Sequence, residues 1–207
     1  CVIVYCGGGC WNVGDAMLFI KRMAFALGQA KAHRGAFAKL HQQTEKSCDS
    51  ILDIDPVALK KSGIKALAID YDGVLAGHDA PNMRPYTQAW LQKLLEIYPP
   101  EHVFILSNKP SEDRKAYFKK HFPGVGFVRG QAKKPYPDGL LWIVAQCQIE
   151  KNQLLMIDDR LLTGVLAALI AKCSFVWIKK PYTNYHKRPL VEGIFFLLRK
   201  MERALLL

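Results

Sequence analysis

Negative charge is scarce in this chain: 18 Asp and Glu stand against 29 Lys and Arg in 207 residues, a formal net charge of +11. That balance asks for an anionic partner, whether nucleic acid, an anionic membrane or a phosphorylated substrate; an excess of lysines held only by water is the plainer reading. Long hydrophobic runs are missing too. The apolar stretches near the start are cut by Asp15, by Lys21 with Arg22 and by Lys31, short of the roughly 20 residues a membrane span needs. No basic segment precedes an apolar core, as a signal peptide requires. The six cysteines, at positions 1, 6, 10, 48, 147 and 173, form no CxxC pair and have no matching His spacing. Neither a zinc site nor a disulfide framework is indicated, and a reducing cytosol suits them. Cys6 and Cys10 enclose three glycines and read as a flexible turn. Neither GxGxxG nor GxxxxGK[ST] occurs, which removes the common nucleotide-binding loops.

What is present is a chain that is 50% apolar, enough for a sizeable core with an appendage. Residues from about Val13 to Gln43 read as helical, with Ala, Met, Leu and Phe interleaved with basic residues. After them, short apolar runs alternate with amphipathic segments. The runs are Ala66–Ile69, Val103–Leu106, Val125–Val128, Leu154–Ile157 and Phe175–Ile178; the segments are Tyr86–Ile97, Ser111–His121, Asp138–Cys147 and Leu161–Ala171, with a last helix near Leu190–Leu206. This rhythm predicts an α/β protein, a Rossmann-like three-layer parallel sheet behind an N-terminal helical extension. The expected division is residues 1–50 for the extension and 51–207 for the α/β domain.

Ligands of such sheets sit at the carboxyl ends of the strands, so chemical residues should follow the apolar runs. Asp70 and Asp72 follow the first, sharing one face if the strand alternation continues to them, and Gly73 then allows a sharp turn. The second run ends in Ser107 and Asn108. A loop with Lys133 and Lys134 follows the third, and the fourth ends in Asp158 and Asp159. Spacing alone is weak evidence, because Asp53-Ile-Asp55 repeats the Asp70-Tyr-Asp72 pattern; there Pro56 and the residues behind it suggest that Asp55 merely caps a short helix. Taken singly, Ser107 and Asn108 could cap the next helix, Lys133 and Lys134 could be solvated, and Asp158 and Asp159 could cap a helix. Together, in order and at strand ends, they point to one shared site.

The set Asp70-Tyr-Asp72-Gly-Val-Leu, Ser107-Asn108, Lys134-Pro135 and Asp158-Asp159 resembles the four motifs of the haloacid dehalogenase (HAD) phosphohydrolases in their usual order. "AKKP" and "DRLLTGVLA" further resemble the YqeG-like, phosphatidylglycerophosphate phosphatase branch, whose pattern reads approximately DLDNTL, SN, ARKP and GDQLLTDVLGG. The likeness covers roughly residues 50 to 200. It implies a Mg²⁺-dependent phosphomonoesterase in which Asp70 is the nucleophile and Asp72 the general acid/base. Ser107 and Asn108 would bind phosphate, Lys134 would offset the crowded negative charge, and Asp159 with Asp158 would join Asp70 and Asp72 around the metal. The chain departs from the branch where Gly164 replaces a second motif-four aspartate, where Asp158 stands in place of Gly, and where Gly73 stands in place of Asn. Restoring Asp at 164 is the expected repair.

The stretches between Asp72 and Ser107, and between Asn108 and Lys134, have room for one helix each and none for an inserted cap domain, which favours a bulky substrate such as a lipid head group. Residues 179 to 207 are rich in Lys and Arg, carry only Glu192 and Glu202 as acids, and end in Leu-Leu-Leu. With the N-terminal basic helix they could form a surface for anionic lipid at the cytoplasmic membrane face. For the last helix, the plainer expectation is an apolar face packed on the sheet with lysines in water. Two alternatives remain: a phosphatase of soluble or protein phosphates, and a HAD-derived protein with a weakened metal site that holds nucleic acid or ribosome.

Overall fold

Two apolar layers, one on each side of a sheet, follow from central strands whose residues are apolar at nearly every position. The computed structural model describes residues 13–40, 42–108, 111–128, 131–185 and 189–207; the Cys6–Cys10 turn lies outside them. Six parallel strands, β1 (Ser47–Cys48), β2 (Ala66–Ile69), β3 (Val103–Ile105), β4 (Gly126–Phe127), β5 (Leu154–Asp158) and β6 (Ser174–Ile178), pair in the order β1-β6-β5-β2-β3-β4. Side chains alternate across the sheet. Ala66, Ala68, Phe104, Leu154, Met156 and Trp177 point into one core. Leu67, Ile69, Ile105, Leu155, Ile157 and Val176 point into the other.

The helices are α1 (Val13–Ala32), α2 (Arg34–Ala38), α3 (Pro56–Lys61), α4 (Pro85–Leu95), α5 (Glu112–His121), α6 (Asp138–Cys147), α7 (Leu166–Ala171) and α8 (Pro189–Leu206). Helices α6 and α7, with Ala26 and Ala30 of α1 and Phe37 of α2, close the first core; Trp90, Leu91 and Leu94 of α4 and Phe118 of α5 close the second. The three-layer α/β architecture is thus the one the apolar runs predict. The expected single helix over residues 13–43 is broken after Ala32, and the sheet takes in β1 ahead of residue 51. Asp55 caps α3, accepting from Val57 N at 3.0 Å with Pro56 behind it, and Asp53 completes a capping box with Ser50. Strand order reverses between β2 and β5, so the chain ends of these two strands flank the topological switch point.

The last helix does not behave as its expected plainer role demands. Its buried residues are Glu192, Arg199 and Glu202, whereas Leu190 is 83% exposed and Ile194, Leu197 and Leu205 are also open. Ion pairs set its orientation: Arg199 reaches Asp159 and Glu202 reaches Arg160. Among the described residues no helix is long and apolar enough to cross a membrane. Cys48, Cys147 and Cys173 are free thiols.

Candidate active site

Strand β2 ends at Ile69, and the next residue is carried by the last rung of the ladder, Asp70 N donating to Ile157 O at 2.9 Å. The chain then turns at once. Leu75 N and Ala76 N both donate to Tyr71 O, Gly73 takes φ +86°, and the Thr87 hydroxyl donates to Leu75 O at 2.8 Å to hold the loop. Asp72, just past the strand end, forms an isolated bridge with Ala76. Asp70 and Asp72 are met by different cations, Lys134 and Arg114.

Asp70 Oδ1 lies 3.1 Å from Lys134 Nζ and accepts from Tyr71 N at 2.8 Å. Lys134 Nζ also donates to Asp158 Oδ2 at 2.5 Å. Lys134 is 3% exposed and Asp158 is fully buried, so Lys134 is no solvated loop charge, while Lys133 beside it is exposed. Asn108 holds the backbone of Lys134 from both sides: its Oδ1 accepts from Lys134 N at 2.8 Å and its Nδ2 donates to Lys134 O at 3.2 Å. Ser107 is half-buried at the end of β3. Neither residue caps α5, whose cap is Ser111, accepting from Arg114 N.

Asp72 is gripped by a residue that spacing did not reveal. Arg114 donates from Nη1 to Asp72 Oδ2 at 2.9 Å and from Nη2 to Asp72 Oδ1 at 2.7 Å, a two-pronged geometry that arginine alone provides. Its guanidinium lies 4.0 Å from the Tyr71 ring centroid, and Asp79 N donates to Asp72 Oδ1 at 3.0 Å. A cleft of about 520 Å³ opens here, lined by Asp79, Pro81, Asn108, Ser111, Arg114 and Lys133 among others.

At the end of β5, Asp158 Oδ1 accepts from Arg160 N at 2.8 Å. A π-helical turn, Leu161–Val165, follows and leads into α7; such turns gather at functional sites. It brings Gly164 against Asp158 so closely that a Cβ at 164 would lie 2.1 Å from Asp158 Oδ2 and 2.4 Å from its Cγ. Two of the three departures from the branch pattern are therefore one: the carboxylate of Asp158 fills the space that a side chain at 164 would need. A similar approach explains Gly73, where a Cβ would meet Asp159 Oδ2 at 2.8 Å. Asp159 Oδ2 in turn accepts from Arg199 Nε of α8 at 2.8 Å, and Arg199 Nη2 lies 2.6 Å from it. Glu202, one helical turn on, accepts from Arg160 and from Leu161 N. No sequence signal near the motifs marks Arg114 or Arg199, which come from helices distant in the chain.

Carboxylate oxygens of Asp70, Asp158 and Asp159 can all lie within 4.8 Å of one another, and all three residues are buried. Burial, with the neighbouring negative charges adding to it, pushes Asp70 well above the ordinary carboxylate range against the pull of Lys134. Burial likewise raises Asp159 to about 6, with Arg199 opposing and Asp158 reinforcing. Lys134 goes the other way: burial would lower it, but Asp158 and Asp70 outweigh that and hold it above its usual value. Three crowded, buried carboxylates, with oxygen as the donor atom throughout, form a set that a small hard cation such as Mg²⁺ fits.

Residues 35–183 match the model of the mitochondrial PGP phosphatase family. The probable phosphatase YqeG of Bacillus subtilis (strain 168) is 31% identical over 120 residues, which are 56% of this chain and 65% of that protein, so the chain spans just under two thirds of that relative. Among solved structures, an uncharacterized protein from Listeria monocytogenes covers 66% of this chain and 99% of its own at 16% identity with a TM-score of 0.47. A HAD family enzyme from Bacteroides thetaiotaomicron, in complex with magnesium and inorganic phosphate, covers 60% and 99% at 15% identity with a TM-score of 0.43. With the motif order, the parallel sheet and a family match over most of its length, the chain belongs to the mitochondrial PGP phosphatase family, within the YqeG-like phosphatases of the HAD superfamily.

Proposed function

We propose that this chain is a Mg²⁺-dependent phosphomonoesterase working through an aspartyl-phosphate, with phosphatidylglycerophosphate as its substrate. The observation that carries the reading is the convergence of Asp70, Lys134, Asp158 and Asp159 at the carboxyl ends of β2 and β5, the switch point of the sheet. Bound Mg²⁺, held by Asp70, Asp159 and the Asp72 backbone with Asp158 beside them, would supply positive charge to a nucleophile and a phosphate that otherwise repel. An Asp70 carboxylate oxygen bonds to phosphorus as the ester oxygen departs with its electron pair and takes a proton from Asp72. Water then attacks the phosphorus of the acyl phosphate, Asp72 takes the water's proton, and the Asp70 carboxylate and inorganic phosphate are released.

Lys134 keeps Asp70 aimed, and Asn108 keeps Lys134 in place. Ser107 and backbone amides at that strand end would hold phosphoryl oxygens. Arg114 engages both oxygens of Asp72, so Asp72 must exchange that partner for the substrate oxygen before it can donate a proton. Gly164, the main argument for a weakened binding protein, is the space that Asp158 occupies, which supports a site that keeps its carboxylates. Measuring phosphate release from phosphatidylglycerophosphate and from an aryl phosphate, with and without Mg²⁺, tests the reading. Release that needs Mg²⁺ and disappears in Asp70→Asn is expected, with the lipid preferred. Release that persists in Asp70→Asn would sink the covalent route, and an aryl phosphate preferred over the lipid would sink the substrate.

A further inference from the structure

The outer face of α8 has no place in the chemistry above and no partner within the sheet. Leu190, Ile194, Leu197, Leu198, Met201 and Leu205 recur at the three- and four-residue spacing of one helical stripe, and all are exposed, from 36% to 83%. Glu192, Arg199 and Glu202 hold the opposite stripe and are buried. A helix that only covers a core shows the reverse distribution. Helix α1 adds a second open apolar surface with Met17, Leu18, Ile20 and Leu27, and both helices rest against the π-helical turn after β5.

We infer that α8, together with the outer surface of α1, docks the protein on an anionic lipid bilayer. Charge selects this occupant. Among the described side chains of α1, α2 and α8 and the residue that ends α2, every exposed charged one is basic: Lys21, Lys31, Arg34, Lys39 and Lys200. The Lys200 ammonium lies over the ring of Phe196, itself 50% exposed, at 4.9 Å. Exposed apolar side chains on helices whose described exposed charges are all basic suit the headgroup region of an anionic membrane. A second copy of the chain fits less well, since two bodies of net charge +11 repel. The inner stripe ties this surface to the site. Arg199 holds Asp159, and Phe195 stacks on His78, in the loop after β2, at 4.1 Å between ring centroids. A docked α8 thus sets the strand ends beside the bilayer, where a lipid phosphate would be presented; only that last step rests on the proposed activity.

The test is flotation of the full chain with vesicles of phosphatidylcholine alone and of phosphatidylcholine mixed with phosphatidylglycerol, against a Leu197→Ser/Met201→Ser variant. Expected is at least about tenfold stronger binding to the anionic vesicles, weakened by salt, and a loss of about a hundredfold in the variant, from two buried side chains. Unchanged hydrolysis of a soluble aryl phosphate and unchanged circular dichroism show that the variant is folded. Equal binding by variant and wild type, no preference for anionic lipid, or a wild-type dimer that the variant dissolves while vesicles bind neither protein, would overturn the inference. Because binding is read without turnover, failure to hydrolyse any phosphate leaves the flotation result decisive.

Discussion

Replacing Gly164 by alanine places a methyl group 2.1 Å from Asp158 Oδ2 and 2.5 Å from its Cβ, well inside any van der Waals contact. Asp158 is fully buried and its Oδ2 is the 2.5 Å partner of Lys134, so it cannot swing into water. Overpacking of this kind costs about 1–3 kcal/mol, and separating the buried Lys134–Asp158 pair about 3–5 kcal/mol. The better helix propensity of alanine returns only about 1 kcal/mol. Gly164→Ala should therefore destabilise by roughly 3–7 kcal/mol, and Gly164→Asp, the repair that motif comparison suggests, should do no better. Asp158→Gly alone should cost a similar amount by leaving Lys134 with Asp70 as its remaining acidic partner. The exchange Asp158→Gly/Gly164→Asp returns a carboxylate to the vacated volume and should recover at least about 2 kcal/mol relative to the sum of the singles. Urea unfolding of the four proteins, with and without Mg²⁺, measures this cycle. Additive losses, or a Gly164→Ala protein within about 0.5 kcal/mol of wild type, would refute the account of the two positions as one exchange.

Lys134→Met leaves Asp70 and Asp158 without their shared cation, so the metal-free protein should lose about 3–5 kcal/mol in urea unfolding, with part of the loss reversed by Mg²⁺. Arg199→Met removes the cation that competes for Asp159; it should lower the thermal midpoint without metal while tightening Mg²⁺ binding measured by calorimetry, and weaker Mg²⁺ binding would contradict the arrangement. Burial raises Asp159 in the fold to about 6 from an ordinary carboxylate value, so its contribution to stability is present below about pH 4 and is lost as pH rises through about 6. Asp70 shifts in the same direction. The thermal midpoint of metal-free protein should fall across that range, and saturating Mg²⁺ should flatten the fall.

Much of this architecture is visible in the chain because apolar runs with no polar face can only be strands covered on both sides, and each is bounded by a residue that cannot be buried without a partner. That logic locates β2, β3, β5 and β6 within a residue or two and sets Asp70 and Asp158 at their ends. It does not reach β1, a two-residue strand that exists because β6 offers an edge, nor the break after Ala32. Local periodicity also gives no sign of Arg114, the cation that meets Asp72.

The succession of strands along the chain, the acidic pairs that follow two of them and the lysine in the loop behind another were determined by the sequence itself, since burial of apolar runs is a local demand. Only the tertiary structure decided which cation meets which anion. Arg114 comes to Asp72 across 42 residues and Arg199 to Asp159 across 40, and the direction of α8 follows from those pairings rather than from its hydrophobic pattern. The pattern is satisfied equally well by facing the core or facing a bilayer, whereas a buried carboxylate at the end of β5 is satisfied only by a counter-ion, and that stronger requirement turned the helix outward.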